Sequence, residues 1–110
     1  MRAAIPIYKH EVKALLKEII NIAQRDNNID ALYLFGSQAR GDATIQSDID
    51  FAVVSKNPSQ INRGLLNYHA ESYDIPSNFV YITQEGLDKA DSQFDVKYWI
   101  KKEGILLWKR

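Results

Sequence analysis

The segment Phe35-Gly-Ser-Gln-Ala-Arg-Gly-Asp-Ala-Thr-Ile-Gln-Ser-Asp-Ile-Asp50 gathers the residues of this 110-residue chain whose types and spacing suit chemistry. Asp48 and Asp50 stand two apart in a stretch that alternates cleanly, with Asp48, Asp50, Ala52 and Val54 in one set and Ile49, Phe51 and Val53 in the other. On an extended chain that spacing puts both carboxylates on one face, with Cα atoms roughly 6.8 Å apart, so they can converge on one cation or a cation pair. Magnesium takes one or two protein carboxylates and fills its shell with phosphate oxygens and water. Two aspartates without a closed protein cage therefore describe a nucleotide-type metal site. Gly36, lacking Cβ, lets the backbone come close to a ligand, and Ser37 offers a hydroxyl and an amide to a phosphate oxygen at the start of a short helical turn. Arg40 can steady a phosphate through a bidentate contact, although a single loop arginine is also commonly just solvated. The corner is not a Walker loop, since no Gly-Lys-Ser/Thr follows, and it lacks the central glycine of a dinucleotide fingerprint.

These residues need a strand on each side of the corner. Ile29–Phe35 is a short apolar and aromatic run ending at Gly36, which reads as a buried strand. Asp48–Val54 reads as a second strand, half buried. Before them, Val12, Leu15, Leu16, Ile19, Ile20, Ile22 and Ala23 recur at three- and four-residue steps, predicting an amphipathic helix from Pro6 to Asn27. Pro6 suits its first turn, and Asn27-Asn28 its exit. After them come a turn around Pro58, a helix from Gln60 to about Ala70, a third strand over Asn78–Thr83, and helical pieces near Gln84–Ala90 and Asp95–Lys102. Gly104 then turns the chain into Ile105-Leu-Leu-Trp108. The order α-β-β-α-β-α-α describes one α/β sandwich over residues 1–110.

Composition narrows the chemistry. With no cysteine there is no disulfide framework, thiolate zinc site or cysteine nucleophile, so any chemistry runs on oxygen ligands. The longest apolar runs fall far short of a membrane span, and the start carries no secretory pattern, which gives a cytoplasmic location as the expectation. Fourteen basic and fourteen acidic residues balance, so there is no overall case for direct nucleic-acid binding. The charges are nonetheless uneven: residues 26–96 hold four basic and eleven acidic side chains, while residues 97–110 hold five basic and one acidic. Solvated helical faces account for this, and so does an acidic middle that holds metal beside basic residues that meet phosphate.

Gly36-Ser37, ten residues, then Asp48-Ile-Asp50 resembles the G-S-x10-D-x-D signature of the minimal nucleotidyltransferases in the DNA polymerase β superfamily. Phe35–Asp42, Ser47–Val54 and the ending Trp99–Trp108 resemble the family's segments as well, so the likeness runs from about residue 10 to residue 108. The resemblance implies a nucleotidyltransferase fold of α/β (α+β) class, a small mixed sheet with helices packed on one side. It also implies ATP as substrate, held at Gly36 and Ser37 with help from Arg40, and Mg2+ held by Asp48 and Asp50. The relatives often act beside a HEPN-domain protein as the antitoxin of a toxin pair, adenylylating a toxin tyrosine, which makes such a partner, and a homo- or hetero-oligomer, the expectation here.

One departure stands out. The family usually carries a third carboxylate on the next strand in a segment of the form V-D-L-V-T, and aligning its threonine with Thr83 puts that position at Val80. Valine binds no metal and takes no proton, and the nearest acidic candidates are Asp74, six residues upstream, and Glu71. Three readings stay open: a protein adenylyltransferase, a catalytically degenerate module that binds nucleotide or partner, and a small-molecule nucleotidyltransferase of the aminoglycoside-modifying kind. His10 and His69 have no spacing that makes a metal set, Tyr33 and Phe35 read as packing residues, and Trp99 and Trp108 read as core or interface anchors.

Overall fold

In a computed structural model, residues 10–43 and 47–110 are described; the expected first turn at Pro6, and part of the polar loop expected over Asp42–Ser47, lie outside them. The apolar stripe beginning at Val12 forms helix α1 (His10–Arg25), and the all-buried run Ala31–Phe35 forms strand β1. A single helical turn, α2 (Ser37–Arg40), follows, then β2 (Ile49–Val54), a 3-10 turn at Pro58–Gln60 and α3 (Arg63–Glu71). Strand β3 (Ser77–Ile82), helices α4 (Gln84–Asp88) and α5 (Val96–Glu103), and strand β4 (Ile105–Lys109) complete the order. Local capping sets several of these boundaries. Asn62 accepts from the Leu65 N–H, Thr83 from Gly86 and Asp95 from Lys97, each satisfying an amide that a first helical turn leaves without a partner.

The sheet order is β3-β2-β1-β4. Strand β1 runs antiparallel to both β2 and β4, and β2 runs parallel to β3, so the sheet is mixed. The alternation of β2 holds, but both of its faces are covered rather than one. Leu32, Leu34, Phe51, Val53 and Ile105 pack beneath α1 and α3 with Leu15, Ile19 and Leu66. On the opposite face Ala31, Tyr33, Ala52, Val54 and Ile82 pack against Leu87 of α4 and Ile100 of α5. The helices expected behind one side are therefore α1 and α3, and the short α4 and α5 add a second layer. Ile105-Leu-Leu-Trp108, read from sequence only as a segment after a turn, is a full strand paired with β1.

Polar ties hold the layers in register. Arg110 donates from Nε to the Ile29 carbonyl at 3.0 Å and from one terminal nitrogen to Ala23 and Asp26 carbonyls at 3.2 and 2.7 Å, closing the C-terminal end of α1. Lys101 Nζ reaches the Asp88 and Ala90 carbonyls at 3.1 and 3.2 Å, which does the same for α4. His69 Nδ1 lies 2.7 Å from Glu18 between α3 and α1, and the Trp99 indole donates to the Gln93 carbonyl at 2.7 Å. Among the described residues no helix is long and apolar enough to cross a membrane.

Candidate active site

The site begins where β1 stops. Gly36 has φ 76 and ψ −155, a backbone region that only glycine enters readily. A Cβ placed there would fall on the Asp50 carboxylate Oδ2. The missing side chain thus does two things at once: it frees the chain to turn sharply, and it leaves room for Asp50 beside the turn. The amides of Ala39 and Arg40 donate to the Gly36 carbonyl at 3.1 and 3.0 Å, and those of Gly41 and Asp42 to the Ser37 carbonyl at 3.0 and 3.1 Å. Buried Ala39 anchors this turn in the core, with Ser37 half-buried at its start.

Strand β2 then returns antiparallel to β1, pairing Asp50 with Phe35, so Asp50 comes back to the level at which the chain left the sheet. Asp48 is exposed and Asp50 half-buried. Their carboxylates converge on a single group: Asn78 Nδ2 lies 3.1 Å from Asp48 Oδ2 and 3.1 Å from Asp50 Oδ1. The parallel register explains this, since Asp50 pairs with Asn78 across β2 and β3.

Val80 is not in that place. It pairs with Ala52, one step deeper along the same face, half-buried against the second core layer. Counting back from Thr83 aligns the family's third position with Val80, whereas the β3 residue beside the aspartate pair in this structure is Asn78. Glu71 and Asp74 do not substitute. They line a groove of about 390 Å³ with Asn67, Ala70, Ile75, Pro76 and Ser77, and among the described residues no set of three or more His, Asp or Glu side chains is placed to share a metal ion.

Arg40 is exposed and engaged by two carboxylates, with Nε 3.2 Å from Asp42 and a terminal nitrogen 3.6 Å from Glu103 at the end of α5. The hydrogen bond to Asp42, followed by the charges of Asp42 and Glu103, holds its pKa above the usual arginine value. These contacts join the α2 turn to α5, so the corner is braced on both sides.

The donor set fits a hard cation. Two carboxylate oxygens lie 3.1 Å from one amide nitrogen, and Asp48 and Asn78 are exposed, a set of oxygen donors of the kind magnesium combines with phosphate oxygens and water. Comparison with known proteins gives the family: the model for polymerase β nucleotidyltransferases matches residues 17–110.

This chain belongs to the polymerase β nucleotidyltransferase family.

Solved structures of similar fold include a protein assigned as a nucleotidyltransferase from Sulfolobus solfataricus. It is 25% identical, covers 97% of this chain and 94% of that one, and superimposes with a TM-score of 0.57. A toxin–antitoxin structure with AMP-PNP is 23% identical over 94% of this chain and 75% of that one, with a TM-score of 0.58. A complex of tri-AMPylated Shewanella oneidensis HEPN toxin with MNT antitoxin is 22% identical over 89% and 72%, also with a TM-score of 0.58. No curated protein sequence matches the chain significantly. In this nucleotidyltransferase fold Gly36 lies against Asp50, and Asp48 and Asp50 both reach Asn78, a neighbour from β3 that emerges only from the structure.

Proposed function

We propose that this protein binds ATP with Mg2+ at the corner formed by Gly36, Ser37, Asp48 and Asp50, and transfers AMP to a hydroxyl of a HEPN-type partner protein, acting as its antitoxin in the cytoplasm. The observation that carries the reading is the convergence of the Asp48 and Asp50 carboxylates beside the Gly36 turn. The AMP-PNP complex and the AMPylated HEPN toxin among proteins of similar fold support it.

In this reading Asp48 and Asp50 would hold the metal, which supplies charge neutralisation for the triphosphate and the departing pyrophosphate. Gly36 admits the phosphates close to the backbone, and Ser37 offers its hydroxyl and amide to their oxygens. Arg40, braced by Asp42 and Glu103, adds positive charge at the rim. The acceptor oxygen forms its bond to the α-phosphorus as the bond from that phosphorus to the oxygen bridging to the β-phosphate breaks, the hydroxyl proton passes to solvent water, and pyrophosphate is released.

A second reading is favoured by Asn78. With an amide in place of a third carboxylate, the same corner would bind nucleotide and partner and neutralise by contact, with transfer slow or absent. Incubation with α-labelled ATP, Mg2+ and a HEPN partner or host lysate separates the two. Label transferred to protein by wild type and lost with Asp50→Asn is the expected result, and a silent wild type that still binds ATP would leave the binding module as the function.

A further inference from the structure

We infer that Asn78 is the third member of the metal–nucleotide site, and that its neutral amide sets how tightly the aspartate pair holds a cation. The inference rests on the reading of Asp48 and Asp50 as metal ligands given above. Three observations carry it. The register of β2 and β3 places Asn78 directly beside Asp50. One nitrogen of its amide bridges both carboxylates, at 3.1 Å to each, so it occupies the point on which they converge. Asn78 is exposed, so packing does not dictate its identity, whereas Val80 is partly buried against the core.

The physical role follows from what an amide carries. Its N–H2 end supplies two donors and compensates two adjacent carboxylates without a formal charge, which keeps them convergent when no cation is there. Its other end is a carbonyl oxygen, a hard but uncharged ligand. Rotation of the amide by half a turn would present that oxygen to a bound metal in place of the N–H2 group. The site then has two negative charges rather than three. Its affinity for a divalent cation is lowered accordingly, because such affinity rises with the number of charged ligands. Asn78 acts through the cation, as a positioning and affinity-setting residue.

The test is an Mn2+ titration followed by electron paramagnetic resonance on the full chain, with and without ATP, for wild type, Asn78→Asp and Val80→Asp. Asn78→Asp is expected to bind Mn2+ about tenfold or more tightly than wild type, with Val80→Asp unchanged. Equal or weaker binding by Asn78→Asp, or an equal gain by Val80→Asp, overturns the inference. Should the extra charge unfold Asn78→Asp without metal, the rise in melting temperature on adding Mn2+ replaces the titration, and a rise no larger than that of wild type counts against it. The two readings fail separately. A wild type that binds Mn2+ and ATP but transfers no label sinks the transferase reading alone. An active wild type with no gain in Asn78→Asp sinks this one alone.

Discussion

The Gly36 backbone lies against the Asp50 carboxylate so closely that a Cβ would land on Oδ2. The turn and the carboxylate therefore share one volume, and each position constrains the other. Gly41 makes the contrast: it also has a positive φ, 85, but a Cβ there meets nothing within 4 Å.

Gly36→Ala is accordingly expected to destabilise by about 1–3 kcal/mol from backbone strain, and to displace Asp50 as well. Gly41→Ala should cost about 1 kcal/mol and leave ATP binding intact. Urea unfolding together with calorimetric ATP titration distinguishes them. Equal loss of nucleotide binding in both variants would mean that the Gly36–Asp50 contact is not what matters.

Tyr33 and Tyr81 are expected to titrate late. Burial, with the Asp88 charge second, raises the Tyr33 pKa, and burial raises that of Tyr81 despite the Arg63 guanidinium 4.0 Å from its ring. A raised phenol pKa adds stability that is complete below the unfolded value near 10 and is lost as pH rises through the folded value. Alkaline difference spectroscopy on wild type, Tyr33→Phe and Tyr81→Phe should show each variant losing part of the late component. The Tyr81 hydroxyl is buried without a hydrogen-bond partner, so Tyr81→Phe is expected to be neutral or stabilising by about 1 kcal/mol near pH 7.

Arg110→Ala should lower stability by about 1–2 kcal/mol, because three carbonyl contacts from an exposed guanidinium are lost together. Arg110→Lys, a single point charge, should recover only part of this. A drop in urea midpoint at unchanged slope is the expected signature.

The elements around the site were legible because each carries a local pattern. Helix α1 shows its three- and four-residue stripe, Ser37 opens a turn between two glycines, and Asp48 to Val54 alternates. What sequence did not reveal depends on pairing between distant segments. Ile105-Leu-Leu-Trp108 is a short apolar run whose strand character comes from its partner β1. Covering of the sheet's second face required α4 and α5 to bring Leu87 and Ile100 into one cluster with Ala31, Tyr33, Ala52 and Val54. Asn78 needed the register of β2 and β3. Asp50 is the second residue of β2 and Asn78 the second of β3, so their adjacency follows from where the two parallel strands start. Asp48 and Asp50, by contrast, depend only on the two-residue repeat of one strand, which is why their shared face was readable at once.

The position of β1 also bears on how the protein is made. Leu32 pairs with Val53 on one side and with Trp108 on the other, and the second partner is translated long after the first. Until residues 105–109 leave the ribosome, the side of β1 that pairs with β4 has backbone N–H and C=O groups without that partner, the kind of edge that accepts a strand from another chain. The nascent protein thus passes through an interval of exposure that the finished sheet no longer has, and slow decoding between Val54 and Ile105 would lengthen it.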